Sequence, residues 1–153
     1  MRASSARRSP CTLTRMSAIA SNVSRNLNDL GLLALRVSFS LLMLTHGVPK
    51  LQQLVAGGEI TFPDPIGVGP TVSLSLAVCG EAVAPVLIVI GLFTRWAAAL
   101  PAATMAVAAF MVHSGDPLAE REPALLYLAG FTAILLAGAG RHSIDGLRTK
   151  RPE

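Results

Sequence analysis

The sequence predicts an all-α fold: a four-helix transmembrane bundle with both termini cytoplasmic, preceded by a disordered basic tail. Three observations carry this expectation. The 153 residues are 52% hydrophobic and 14% charged, against about 25% charged residues in soluble domains, and mean hydropathy is +0.55. Apolar stretches at about 30–50, 72–93, 96–112 and 124–139 approach the roughly 20 residues that a helix needs to cross hydrocarbon. Basic residues gather in the two tails and in the connection holding Arg95, which places those segments inside by the positive-inside rule.

Residues 1–28 carry Arg2, Arg7, Arg8, Arg15 and Arg25 without a contiguous apolar core, so they read as a disordered cytoplasmic tail, not a cleavable signal peptide. Met16 serves as well as Met1 for a start. A single membrane domain is expected over 29–140. In the first span Arg36, Ser40, Met43, Gly47 and Lys50 recur at spacings of 4, 3, 4 and 3, which puts them on one helical face. The opposite face is rich in leucine, so the polar stripe is expected to point into the bundle. FPDPIGVGP then marks a loop. The second span holds Pro85, which a membrane helix tolerates where neighbours satisfy the freed carbonyl. The very short connection Thr94–Trp96 sets the third span antiparallel to the second. Ala98, Ala102 and Ala106, and likewise Ala129, Ala133 and Ala137 in the fourth span, form small-residue stripes suited to close helix packing. An acidic connection, His113 to Pro123, separates these two spans, and 141–153 is a basic cytoplasmic tail.

The chemistry centres on Glu81, placed near the middle of LAVCGEAVAPVLIVIGLFTRWAA. A carboxylate there costs roughly 2.5–3.5 kcal/mol on insertion scales and calls for a partner. Arg36, inside the first span, is the expected partner, with its stem covering most of the difference in depth. The pair is either a functional centre or a device that fixes helix register. His46, Lys50 and His113 end their spans at the outer face and are candidates for binding a cofactor: a quinone carbonyl, or a haem if both histidines act as ligands. No haem motif flanks either histidine, which disfavours haem and leaves the cofactor open. No metal motif is present, no serine sits in a hydrolase elbow, and GVG at 67–69 is too short for a nucleotide fingerprint. A pI of about 9.8 reflects the tails and not a nucleic-acid-binding face. Cys11 and Cys79 lie in regions that should not meet.

Three stretches together resemble the DoxX family of small bacterial membrane proteins. They are LRVSFSLLMLTHGVPKL, with Arg36, His46, Gly47, Lys50 and Leu51; GEAVAPVLIVIGLFTRWAA, with Gly80, Glu81, Gly91, Leu92, Thr94 and Arg95; and GAGRHSIDGL, with Gly138, Gly140, Arg141, Ser143 and Asp145. Ala84, Pro85 and Ala139 depart from the residues that members often carry. The resemblance implies a four-helix protein of the bacterial cytoplasmic membrane. It also implies a redox association, since some members belong to a thiosulfate:quinone oxidoreductase and others are linked to thiol or oxidative stress. The expected function is a small redox-associated subunit, quinone- or thiol-linked, acting with a partner oxidoreductase. Whether it is itself catalytic is left open. The alternatives are a small-solute or proton-coupled carrier, which four spans favour only as a homo-oligomer, and a non-catalytic membrane scaffold.

Overall fold

The computed structural model describes the backbone of residues 10–149 and the side chains of residues 23–148. All regular elements among them are helices: α1 (Pro10–Ala56), α2 (Pro70–Ile90), α3 (Thr94–Val112), α4 (Leu118–Ala137) and the short α5 (Ile144–Thr149). Among the described residues, three segments are long and apolar enough to cross a membrane: Val23–Ala56 of α1, α2 and α3. Helix α4 has the length, 20 residues, but Glu120, Arg121 and Glu122 lie near its start, so its apolar stretch begins only at Pro123.

Helix α1 starts at Pro10, inside the stretch expected to be a disordered tail. No glycine or proline stands between Cys11 and Leu30, so nothing local stops the helix from extending backwards out of the apolar span. Its 47 residues correspond to about 70 Å at 1.5 Å per residue, more than twice the roughly 30 Å of hydrocarbon. Residues 1–9, the remainder of that tail, and 150–153 of the C-terminal one lie outside the described residues, while α5 forms within the latter.

Each long helix packs on its sequence neighbours, and α4 closes back on α1. Met43, Ile88, Ala98, Phe131 and Ile134 are fully buried between them. The polar stripe of α1 faces inward as its spacing requires: Arg36, Ser40, Met43 and Gly47 are buried and Lys50 is half-buried. Ala98 and Ala102 are buried on α3. Ala129, Ala133 and Ala137 are exposed, so the expected packing stripe of α4 faces outward. The aromatic cluster of Phe39, Tyr127 and Phe131, with ring centroids 6.1–6.3 Å apart, turns the other face inward, and the Phe39 ring lies against Gly130.

The register of α1 on α2 is set at one point. Proline has no N–H and its ring crowds the carbonyl four residues earlier. Pro85 therefore frees the carbonyl of Glu81, and the helix widens there into a π segment, Cys79–Val83. A π segment of this kind is a recurrent mark of functional sites. Gly47 packs directly on that carbonyl, where a β-carbon would collide with the oxygen, the carbonyl carbon and the next nitrogen. The obstacle is backbone and cannot rotate away. Gly47→Ala is therefore expected to lower stability by about 1–3 kcal/mol, the usual cost of overpacking, seen as a lower thermal midpoint in detergent, while Gly31→Ala, inside the helix and facing open space, raises it by up to about 1 kcal/mol.

Candidate functional site

Two polar centres lie at opposite ends of the bundle. At the end bearing α5, Gly91 closes α2 with φ 73°, a conformation that glycine adopts without strain. A β-carbon at this position would also strike Ser143 and the Arg36 guanidinium. Phe93 follows at φ 48°, and Asp145 holds this turn. Its carboxylate accepts hydrogen bonds from the Phe93 N–H (3.0 Å), the Thr94 N–H (2.8 Å) and the Thr94 hydroxyl (3.0 Å), while its own N–H donates to the Gly91 carbonyl (2.9 Å). Desolvation pulls the Asp145 carboxyl upward. The hydrogen bonds from Thr94 and Phe93 and the charge of Arg148 outweigh it and hold the group below its ordinary value.

Arg36 reaches into the same centre. Its guanidinium donates to the Ala139 carbonyl (2.9 Å) and the His142 carbonyl (2.5 Å). The Arg141 N–H donates to Asp29 at 3.2 Å, so α1, the α2–α3 turn and the closing segment are tied in one knot.

At the far end, Lys50 donates to both carboxylate oxygens of Glu81, at 2.5 and 2.6 Å. Glu81 is 2% exposed and Lys50 29%, so the carboxylate is enclosed and its partner is open on one side. That side is a cavity of about 390 Å³, within the roughly 300–1,000 Å³ of small-molecule sites. Its walls are mainly apolar, from Leu76 and Ala77 of α2, Leu100, Ala103 and Val107 of α3, and Phe62, Pro63 and Ile66 of the loop. The polar groups on it include Lys50, Glu81, Ser73 and His113. Phe62 carries the Lys50 ammonium 5.6 Å from its ring centroid, a cation–π contact. The loop is fixed by Asp64, which accepts from the Ser73 hydroxyl (2.7 Å), the Gly69 N–H (2.7 Å) and the Val68 N–H (3.0 Å). The Ser73 bond, followed by those backbone bonds, lowers the Asp64 carboxyl below its ordinary value.

The expected pair of Arg36 with Glu81 does not form. The contact of Gly47 with Glu81 fixes the antiparallel register, and Arg36, 11 residues before Gly47, falls about 16 Å away along the axis, beside Gly91. Lys50 lies one turn beyond Gly47 and takes its place. The three cofactor candidates also part. Lys50 and His113 share the cavity, with His113 Nδ1 2.7 Å from an Asp116 oxygen. His46 is exposed and turns toward α4, where its ring meets Tyr127 edge-on at 5.8 Å. The two histidines thus do not converge on one ligand. Sequence reasoning missed Asp145 as the clasp and Phe62 as the cavity wall. The first was signalled by the closing motif, whose aspartate follows a glycine-rich stretch, and the second by nothing local.

The family model for DoxX matches residues 31–114. The chain belongs to the DoxX family. An uncharacterized protein of Haemophilus influenzae is 32% identical over 121 residues, 72% of this chain and 85% of that protein. The inner membrane protein YqjF of Escherichia coli is 29% identical over 133 residues, 83% and 98% of the two chains. No solved structure matches. The DoxX match includes Arg36, Gly47, Lys50, Glu81 and Gly91, and it ends before the closing segment that Arg36 and Asp145 tie down.

Two outcomes follow from these centres. Lys50→Met leaves the buried Glu81 carboxylate uncompensated, and breaking such a pair costs about 3–5 kcal/mol; the lower end applies because Lys50 is partly exposed. The double variant Lys50→Met with Glu81→Leu should recover most of the lost thermal stability in detergent. Asp145, whose folded value is depressed, stabilises the fold above its ordinary carboxyl value of 3.8, and this is lost as pH falls through the folded value. Melting curves of the parent and of Asp145→Asn should differ near neutrality and draw together only as pH falls below 3.8.

Proposed function

We propose that the protein is a small redox-associated subunit of the bacterial cytoplasmic membrane that holds a quinone-like head group in the cavity beside Lys50 and works with a partner oxidoreductase. The carrying observation is that a buried ion pair opens, through its lysine, onto an otherwise apolar cavity. Such a combination suits a ligand with an apolar body and a hydrogen-bond acceptor at one end. His113, at the same cavity and hydrogen-bonded to Asp116, places a second polar side chain on its wall. The carbonyl of such a head group would take a hydrogen bond from Lys50, with Glu81 holding the ammonium in place.

In this reading α1 to α4 all cross the bilayer and both termini are cytoplasmic. Arg25, Arg95, Arg141 and Arg148 lie toward the end closed by Asp145, and Glu120 and Glu122 toward the other, as the positive-inside rule requires. The name of the Escherichia coli relative, an inner membrane protein, supports the same location.

The test is recovery of the tagged protein from native membranes in mild detergent, with co-purifying proteins identified by mass spectrometry. A stoichiometric oxidoreductase is expected, and its turnover with ubiquinone-1 as acceptor should fall at least tenfold in Glu81→Gln while the amount of folded protein stays constant. Recovery of the protein alone, with no quinone-dependent turnover in the membrane, would overturn the proposal.

A further inference from the structure

The cavity beside Lys50 and Glu81 has a wall that α2 and α3 leave open. Helix α3 packs against the π segment Cys79–Val83 and the following Ala84–Ile90, not along the Pro70–Val78 half of α2. The two helices touch where Gly80 lies against the Thr104 side chain. Leu76 and Cys79, three residues apart on α2, share a face, as do Leu100 and Ala103 on α3. All four line the cavity, and all four are exposed, so helix packing does not seal the cavity along this seam. Both helices have the length and hydropathy of membrane spans, so an exposed apolar side chain midway along either faces lipid. The cavity is therefore continuous with hydrocarbon through this gap.

The polar end adds a second constraint. A lysine ammonium has three N–H donors, and the two directed at Glu81 leave the third for the cavity. Lys50 and Glu81 offset each other in charge, so a charged head of either sign would be desolvated in the apolar cavity without a net counter-charge. A neutral acceptor meets no such penalty.

We propose that the cavity takes a long-chain amphiphile with a neutral carbonyl head directly from the bilayer, the head on Lys50 and the chain leaving between Leu76–Cys79 and Leu100–Ala103. This rests on the same cavity as the proposed function, but it concerns the ligand's source and shape and holds for any carbonyl head, redox-active or not. A water-borne head group without a chain is the competing source.

Cys79 reports on the gap directly. Of the two cysteines, Cys11 is replaced by serine, and the protein is placed in lipid nanodiscs. Alkylation of Cys79 by N-ethylmaleimide is timed with undecan-2-one or butan-2-one present. The long ketone should slow the reaction at least fivefold and the short one not at all. Leu100→Trp, or the milder Ala103→Leu, should abolish the protection by narrowing the gap. With each rate normalised to that for free cysteine, the charged reagent methanethiosulfonate ethylsulfonate should react at least tenfold more slowly than N-ethylmaleimide. Equal protection by both ketones, or rapid labelling by the sulfonate, would show a water-filled site and overturn the inference. So would protection that survives in both narrowed variants. Protection by undecan-2-one in a protein with no oxidoreductase partner would leave this inference standing and remove only the redox reading.

Discussion

A charge carried into hydrocarbon must bring its partner with it, and helix α1 meets this constraint twice on a single face. Arg36 and Lys50 lie 14 residues apart, about 21 Å along the helix, and each is satisfied by a different part of the chain. Arg36 is met by backbone carbonyls of the closing segment, and Lys50 by the carboxylate of Glu81. Apolar surface gives helices little reason to associate in lipid, where packing and hydrogen bonds supply the drive. The two basic side chains therefore pin α1 to its neighbours at both ends, and the close approach at Gly47 fixes the register between them.

The far centre combines three local departures from regular structure. Pro85 removes a hydrogen bond, the π segment absorbs the distortion, and Gly47 fills the space against the freed carbonyl. Together they present Glu81 to Lys50 at the wall of a cavity. The end closed by Asp145 uses irregular backbone in another way: Gly91 and Phe93 turn the chain through left-handed conformations, and one carboxylate spans the donors that the turn leaves open. One centre faces an open cavity with its lysine; the other spends its hydrogen bonds on the chain itself.

Much of this was legible in the sequence. Helical periodicity identified the inward stripe of α1, because a face of Arg36, Ser40, Met43, Gly47 and Lys50 contrasts sharply with the leucines behind it. The membrane character followed from composition and the turns from glycine and proline. The partner of Glu81 was not legible, because pairing across helices depends on register, and register here is set by one glycine on one carbonyl. A shift of about four turns along α1 separates Arg36 from Lys50, and no periodic pattern distinguishes them. The outward direction of Ala129, Ala133 and Ala137 was missed for a related reason: the aromatic cluster of α4 and Phe39, formed across two distant helices, decides which face turns inward. The start of α1 at Pro10 was hidden by composition, since serine and arginine read as a tail whether or not a helix runs through them.

The knot around Arg36 bears on how the chain is made. Its carbonyl partners, Ala139 and His142, come 103 and 106 residues later. At about 5–20 residues per second of synthesis, the guanidinium waits roughly 5–20 s for them. Until Ala139 and His142 are made, α1 holds a cation whose permanent partners do not yet exist, and until Asp145 follows, Gly91 and the α2–α3 turn have no clasp. A chain cut short before Ala139 would keep both defects, since the closing segment supplies the carbonyls for Arg36 and the carboxylate for the α2–α3 turn.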